Sequence, residues 1–125
     1  MPRVESLMKK FKDNTHILWT MHPTILPFQI CDITIRGVSK KSATLEVLNL
    51  IHILPEEVLG IGDTIGDWSF MEICKYAGTV GNESKELKDL VKTKGEGNYF
   101  YGSSVDENGL LYVFTYFKSK IDKLA

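Results

Sequence analysis

The hydrophobic positions follow two different patterns along the chain, and the change between them falls near Gly37. Residues 2–11 repeat apolar side chains with a helical period, at Val4, Leu7, Met8 and Phe11. Two segments rich in strand-forming residues follow at 16–21 and 28–35, and their short connection predicts an antiparallel pair. The first region, residues 1–36, is therefore predicted to hold one helix and two strands.

Beyond Gly37, helical patterns alternate with short apolar runs. Helices are predicted at residues 40–52, 68–75, 84–92 and 109–117. Strands are predicted between them at residues 58–61, 78–80 and 99–102. This alternation is typical of a parallel sheet with right-handed crossovers. The fold class is therefore α/β, with a partial Rossmann-like parallel sheet and flanking helices over residues 37–125.

The composition is that of an ordinary globular protein. The chain has 125 residues, of which 43% are hydrophobic and 25% charged, with a formal net charge of -1. A nucleic-acid-binding protein would normally show a basic face, so we expect no nucleic-acid partner. No stretch approaches the ~20 apolar residues that span a bilayer, and the N-terminus does not resemble a signal peptide. We therefore expect a cytoplasmic protein.

The candidate chemistry is concentrated in the loop after the predicted strand 58–61. Asp63 follows this strand directly, and Asp67 lies one helical turn later. Ligands of open α/β sheets bind at the carboxyl ends of the strands, and Mg²⁺ commonly takes one or two protein carboxylates together with phosphate and water. Asp63 is thus the first candidate for a magnesium ligand and Asp67 the second.

Three further residues are candidates for binding phosphate. Lys40 begins a predicted helix, where a cation is unfavourable next to the helix dipole unless an anion lies nearby. Thr64 offers a hydroxyl in the loop between the two aspartates, and Asn82 follows the next strand at the same edge of the sheet. For both, a role in the loop or turn alone is an alternative.

In this order, the segments resemble the motifs of the haloacid dehalogenase-like phosphatases. The chain is most similar to members that carry an α/β cap inserted before the third motif, which include sugar-phosphate phosphatases. The third motif is resembled by Gly37-Val38-Ser39-Lys40, and the fourth by Gly62-Asp63-Thr64-Ile65-Gly66-Asp67. The segment after the next strand is resembled by Gly81-Asn82, with Leu87-Lys88 beyond it.

The resemblance implies a magnesium-dependent phosphomonoester hydrolase that works through an aspartyl-phosphate. It implies Mg²⁺ at Asp63 and Asp67, a catalytic Lys40 that holds the phosphate, and substrate contacts from Thr64 and Asn82. The substrate would be a phosphorylated small molecule, such as a sugar phosphate. Residues 1–36 would be the last helix and two strands of a truncated cap, and 37–125 the C-terminal half of the core.

Two departures from the family pattern matter. Many relatives have asparagine before the second aspartate of the fourth motif, where this chain has Gly66. More importantly, no Asp-x-Asp, the family's nucleophile motif, occurs anywhere in the sequence. We therefore expect the C-terminal part of a phosphatase, with little or no turnover alone, that needs a complementary N-terminal chain to supply the nucleophilic aspartate.

Two other hypotheses are compatible with the same residues. The chain could be a non-enzymatic binding or oligomerisation module that retains the metal motif, or Asp63 could itself accept phosphate, as in receiver-like signalling domains. Without the family's first strand, which the resemblance places beside it, the strand before Asp63 would lack its neighbour in the sheet. Such an open edge tends to pair with another chain, so a homo-oligomer is expected.

Overall fold

The computed structural model describes residues 2–11, 13–21, 24, 27–81 and 84–124. The chain divides into two units, one of residues 1–39 and one of residues 40–125. Among the described residues, no helix has the length and apolar character that crossing a bilayer requires. The assignment of residues 1–36 to a cap and of 37–125 to a core stays a prediction.

The first unit holds helix α1 and an antiparallel hairpin, as the sequence predicted. α1 spans Pro2–Phe11, β1 spans Thr15–Met21 and β2 spans Gln29–Ile35. The two strands pair over their full length, with Thr15 opposite Ile35 and Trp19 opposite Cys31. The Thr15 hydroxyl donates a 2.7 Å hydrogen bond to the carbonyl of Phe11, which satisfies one of the orphan carbonyls at the end of α1.

The second unit is built on a parallel sheet whose strand order is β3-β4-β5. Its strands are β3 (Leu59–Gly62), β4 (Tyr76–Thr79) and β5 (Tyr99–Tyr101). Its helices are α2 (Lys40–Leu50), α3 (Trp68–Met71), α4 (Lys85–Lys92) and α5 (Gly109–Leu124). The predicted α/β class, with its parallel sheet and flanking helices, is confirmed.

One face of this sheet packs against α3 and α4. The buried side chains of this layer are Met71, Ala77, Leu87 and Val91, with Trp68, Phe70 and Tyr99 packed around them. α4 begins at Ser84, whose hydroxyl accepts a 3.2 Å hydrogen bond from the amide of Leu87 and so caps the helix. Burial of the apolar stripe of α4 fixes it against the sheet, since so short a helix is marginal alone.

The opposite face packs against α5. Val113 and Phe117 are the buried side chains on this helix that face the sheet. Val113 lies directly over Gly78 in β4, where a Cβ atom would collide with the valine. Phe117 packs its ring 5.4 Å from that of Tyr76. Gly78 therefore permits the close approach of α5 to the middle strand.

Several predicted boundaries differ from the structure. The predicted helix 68–75 ends at Met71, and the strand predicted at 78–80 begins at Tyr76. The helix predicted to end at residue 117 continues to Leu124. The last extension is supported by Lys120, whose ammonium donates a 2.5 Å hydrogen bond to the carbonyl of Gly97 and lies over the ring of Tyr116.

Lys94 binds two backbone carbonyls that follow α3. Its ammonium donates to the carbonyls of Glu72, at 2.7 Å, and Cys74, at 2.6 Å. It also lies 5.3 Å from the centre of the Trp68 ring. We expect Lys94→Met to lower the free energy of unfolding by about 2 kcal/mol, because both carbonyls lose a charged donor. Urea denaturation measures this loss. Lys92→Met, on the exposed side of α4, is the control and should lower the free energy of unfolding by no more than about 0.5 kcal/mol. Equal losses of stability in the two variants would show that the bonds from Lys94 to these carbonyls do not stabilise the fold.

His52 closes α2 in a left-handed conformation, with φ of 57°. The amide of Ile53 bonds back to the carbonyl of Leu48 at 3.0 Å, which is the bond of a Schellman motif. This position favours glycine, so His52→Gly should raise the free energy of unfolding by about 1 kcal/mol. His52→Ala keeps the Cβ atom and should bring no such gain. A gain of the same size in both variants, measured by urea denaturation, would show that strain at φ is not the cause.

Candidate active site

The site is built around Asp67, which lies in a tight turn just beyond the carboxyl end of β3. Only 7% of Asp67 is exposed. Its Oδ2 accepts three hydrogen bonds of 3.1 Å, from the amides of Asp63 and Thr64 and from the Thr64 hydroxyl. Its Oδ1 accepts from the ammonium of Lys40. Asp67 therefore joins the strand end, the turn and the first residue of α2.

These donors keep Asp67 ionised although it is buried. Burial by itself raises the pKa of Asp67. The hydrogen bonds from Lys40, Thr64 and Asp63, together with the charge of Lys40, outweigh burial and bring the pKa below its ordinary value of 3.8. At neutral pH Asp67 is thus an ionised carboxylate.

Lys40 is paired with Asp67, and much of its side chain stays exposed. It is the first residue of α2, and it reaches across 27 positions of sequence to Asp67. Its side chain is still 61% exposed, against 10% for that of Asp67. An ammonium has three N–H donors, so Lys40 can bind an anion on its exposed side while it stays paired with Asp67.

Asp63 is exposed at the carboxyl end of β3, and its amide rather than its carboxylate contacts Asp67. Within the described ranges, no group of three histidine, cysteine or acidic residues is arranged to hold a metal ion. Mg²⁺ does not require such a group, because it is usually held by one or two carboxylates with phosphate and water. An exposed carboxylate on the loop that also holds the pair of Asp67 and Lys40 fits that mode of binding.

The structure brings four of the five predicted site residues into one loop and the helix start beside it. Thr64 is among them, but its single hydroxyl proton is donated to Asp67. Both carboxylate oxygens of Asp67 already accept hydrogen bonds, Oδ1 from Lys40 and Oδ2 from the amide of Asp63. Asn82 lies outside the described residues. The phosphate contacts of Thr64 and Asn82, and the metal contact of Asp67, stay predictions.

Sequence reasoning did not anticipate that the loop amides bind Asp67. The spacing carried a signal for it: an acidic residue three positions after a threonine, at a turn, is the arrangement in which the acid accepts the threonine amide. The close approach of Gly62 to Asp67 was also not anticipated. A Cβ atom at Gly62 would lie 2.5 Å from the Cβ of Asp67. This glycine is what allows Asp67 to lie over the strand.

Solved structures share this fold. One is a haloacid dehalogenase-like hydrolase from Bacteroides thetaiotaomicron, with a TM-score of 0.67 and 20% identity; the match covers 87% of this chain and 36% of that one. Another is a hypothetical protein from Geobacillus kaustophilus, with a TM-score of 0.70 and 16% identity over 94% of this chain and 40% of that one. At these identities the likeness concerns the fold alone.

Sequence comparison gives the family. A phosphoglycolate phosphatase from Staphylothermus marinus is 34% identical over 68 residues, which are 52% of this chain and 29% of that protein. The chain thus spans less than half the length of each of these relatives. A family model for haloacid dehalogenase-like hydrolases matches residues 2–113. The chain therefore belongs to the haloacid dehalogenase-like hydrolases.

Proposed function

We propose that these 125 residues provide the metal- and phosphate-binding part of a magnesium-dependent phosphomonoester hydrolase. The observation that carries the proposal is the ion pair of Lys40 with buried Asp67, next to the exposed Asp63 at the carboxyl end of β3. The nucleophilic aspartate is proposed to come from residues outside this sequence, because the sequence contains no Asp-x-Asp. The family and the phosphatase among the relatives support this reaction class.

Each residue has a separate part in the proposed mechanism. Asp63 would hold the ion, and a bound Mg²⁺ supplies charge neutralisation for the phosphoryl oxygens. Lys40 binds a phosphoryl oxygen with the donors that Asp67 does not use, and Asp67 keeps the ammonium in place. Because Asp67 is anchored by backbone amides, the lysine is oriented before the substrate arrives, so little reorganisation is needed in the transition state.

The proposed substrate is a small phosphorylated molecule. Lys40 and Asp63 would interact with the phosphate group, which all such substrates share. Phosphoglycolate, which appears in the name of one relative, is one example of such a substrate. The predicted sugar phosphates belong to the same class. The second candidate function, a binding module without turnover, keeps the same anion contact but requires no nucleophile.

Magnesium binding and turnover test the proposal separately. Calorimetric titration of Mg²⁺ into the purified chain should show weak binding that is lost in Asp63→Asn. Asp89→Asn, an exposed carboxylate on α4, should leave it unchanged. With p-nitrophenyl phosphate, the chain alone should show no turnover above buffer. Sustained turnover that Asp63→Asn abolishes would overturn the proposal that the nucleophile lies elsewhere, and Mg²⁺ binding unaffected by Asp63→Asn would overturn the metal assignment.

A further inference from the structure

A cavity of about 290 Å³ lies along β5, on the side of the described sheet away from β3. This volume is close to the lower limit of about 300 Å³ for sites that bind small molecules. Because side chains alternate between the two faces of a strand, a cavity that touches three consecutive residues of β5 lies across the edge of that strand. The residues that line it are Glu96, Gly97, Tyr99, Phe100, Tyr101 and Tyr116.

Four of these six residues are aromatic, and their rings are held by the protein itself. Tyr116 stacks on Phe100 with 4.5 Å between the ring centres, and the rings of Tyr99 and Tyr101 lie 5.2 Å apart. The Tyr101 hydroxyl donates a 2.8 Å hydrogen bond to the carbonyl of Lys88. A ligand would therefore meet rings that are already in place, which lowers the entropy that binding costs.

The charge of the cavity favours a cation. The faces of aromatic rings carry partial negative charge and attract cations. Glu96 is the one lining residue with a formal charge, and that charge is negative. The Glu96 side chain is exposed, and no basic side chain among the described residues forms an ion pair with it. The carboxylate and the ring faces thus attract the same kind of ligand.

Lys120 shows that the wall of the cavity can hold an ammonium. Its Nζ lies 4.9 Å from the centre of the Tyr116 ring and donates a hydrogen bond to the carbonyl of Gly97. This carbonyl is therefore already in use, and the hydroxyl proton of Tyr101 is donated to a carbonyl outside the cavity. Ring faces are poor hydrogen-bond acceptors, so a cation without N–H groups gives up least when it leaves water for this cavity.

We infer that the cavity is a second binding site, which takes a small organic cation with an alkylated ammonium group. The ammonium lies between the carboxylate of Glu96 and the rings of Tyr99 and Tyr101. The inference goes beyond the proposed phosphatase reaction and does not depend on it, because no residue of the loop from Asp63 to Asp67 lines the cavity.

Titration of choline into the purified 125-residue chain, followed by NMR, tests the site. The amide resonances of Tyr99 and Tyr101 should shift in a saturable manner, with a dissociation constant in the millimolar range. Dimethylbutanol, the uncharged analogue with carbon in place of nitrogen, should bind at least about threefold more weakly. Equal binding of the two compounds, or an absence of saturable shifts with choline, would overturn the inference.

Substitutions in the cavity should weaken choline binding. Glu96→Gln removes the carboxylate charge, and Tyr101→Leu removes one ring; each should raise the dissociation constant about threefold. Phe114→Leu is the matched control, since Phe114 is an aromatic residue, 58% exposed, that does not line the cavity. Its dissociation constant should equal that of the unsubstituted chain, and equal constants in all three variants would overturn the inference. Glu96 lies in an exposed loop, so Glu96→Gln tests the charge without disturbing the core.

Two further variants decide the sign of the charge and the place of binding. Lys120→Met removes a neighbouring positive charge and frees the Tyr116 ring, so it should tighten choline binding about threefold. Weaker binding would mean that the ligand needs the lysine ammonium, which contradicts a cation. Asp63→Asn should leave choline binding unchanged. A loss of binding in Asp63→Asn would place the cation in the candidate active site and overturn the second site, without deciding against the proposed function.

Discussion

Replacing Gly62 with alanine is expected to lower the free energy of unfolding by about 3 kcal/mol and to dismantle the pair of Lys40 and Asp67. The new Cβ atom would lie 2.5 Å from the Cβ of Asp67, 2.9 Å from its Oδ2 and 2.9 Å from the sulfur of Met71. The Cβ of Asp67 is attached to the backbone of the turn, so it can move away only if the turn moves with it. The carboxylate of Asp67 would therefore lose its hydrogen bonds from the loop amides.

Two measurements report on the two consequences of Gly62→Ala. Urea denaturation gives the loss of stability. The backbone amide resonances of Asp63 and Thr64 report on the hydrogen bonds to Asp67, and they should move upfield as these bonds lengthen. Gly66→Ala, in the same loop, is the control, because its nearest neighbour would be the Thr64 hydroxyl at an ordinary 3.6 Å. Similar losses in the two variants would mean that the collision with Asp67 is not the cause.

The order of the elements could be predicted from the sequence because it depends on local periodicity. α4 shows why: its stripe of Leu87 and Val91 is both the pattern in the sequence and the buried face in the structure. The alternation of such helices with short apolar runs leaves few arrangements other than a parallel sheet. Local patterns and tertiary packing agree at these positions.

The boundaries that were wrong depend on partners distant in sequence. β4 begins earlier than predicted, at Tyr76, which pairs with Leu59 and packs its ring on Phe117. Gly78, where the strand was predicted to begin, leaves the space that Val113 fills. α3 ends early where Lys94, more than twenty positions away, binds the carbonyls that follow it. A glycine or a lysine read in its local context carries no information about either contact.

The sequence predicted that the candidate residues of the loop lie close together, but not that their burial differs. Asp63 and Asp67 looked alike in sequence, as two carboxylates on one loop. In the structure Asp67 is buried among four donors, whereas Asp63 is exposed. The difference arises from the turn geometry and from Lys40, both of which require the folded loop. Sequence spacing alone therefore could not separate a buried, hydrogen-bonded carboxylate from an exposed one.

Asp67→Asn is expected to lower the free energy of unfolding by about 2–3 kcal/mol at neutral pH. The amide retains one oxygen for the backbone donors of Asp63 and Thr64 but places an N–H₂ group against the ammonium of Lys40. Urea denaturation over a range of pH measures the difference between the two proteins. Asp89→Asn, on the exposed side of α4, is the control and should change stability by no more than about 0.5 kcal/mol.

The pH dependence identifies the charge of Asp67 as the source of this stability. Its pKa is lower in the folded chain than the ordinary 3.8, so the folded state binds the proton less tightly than the unfolded state does. The stabilisation is therefore fully present above about pH 5 and is lost as the pH falls below 3.8 through the folded pKa. The difference between the unsubstituted chain and Asp67→Asn should shrink over that acidic interval. A difference that stays constant or grows there would mean that Asp67 stabilises the loop through its shape, and that Lys40 is held by something other than an ionised carboxylate.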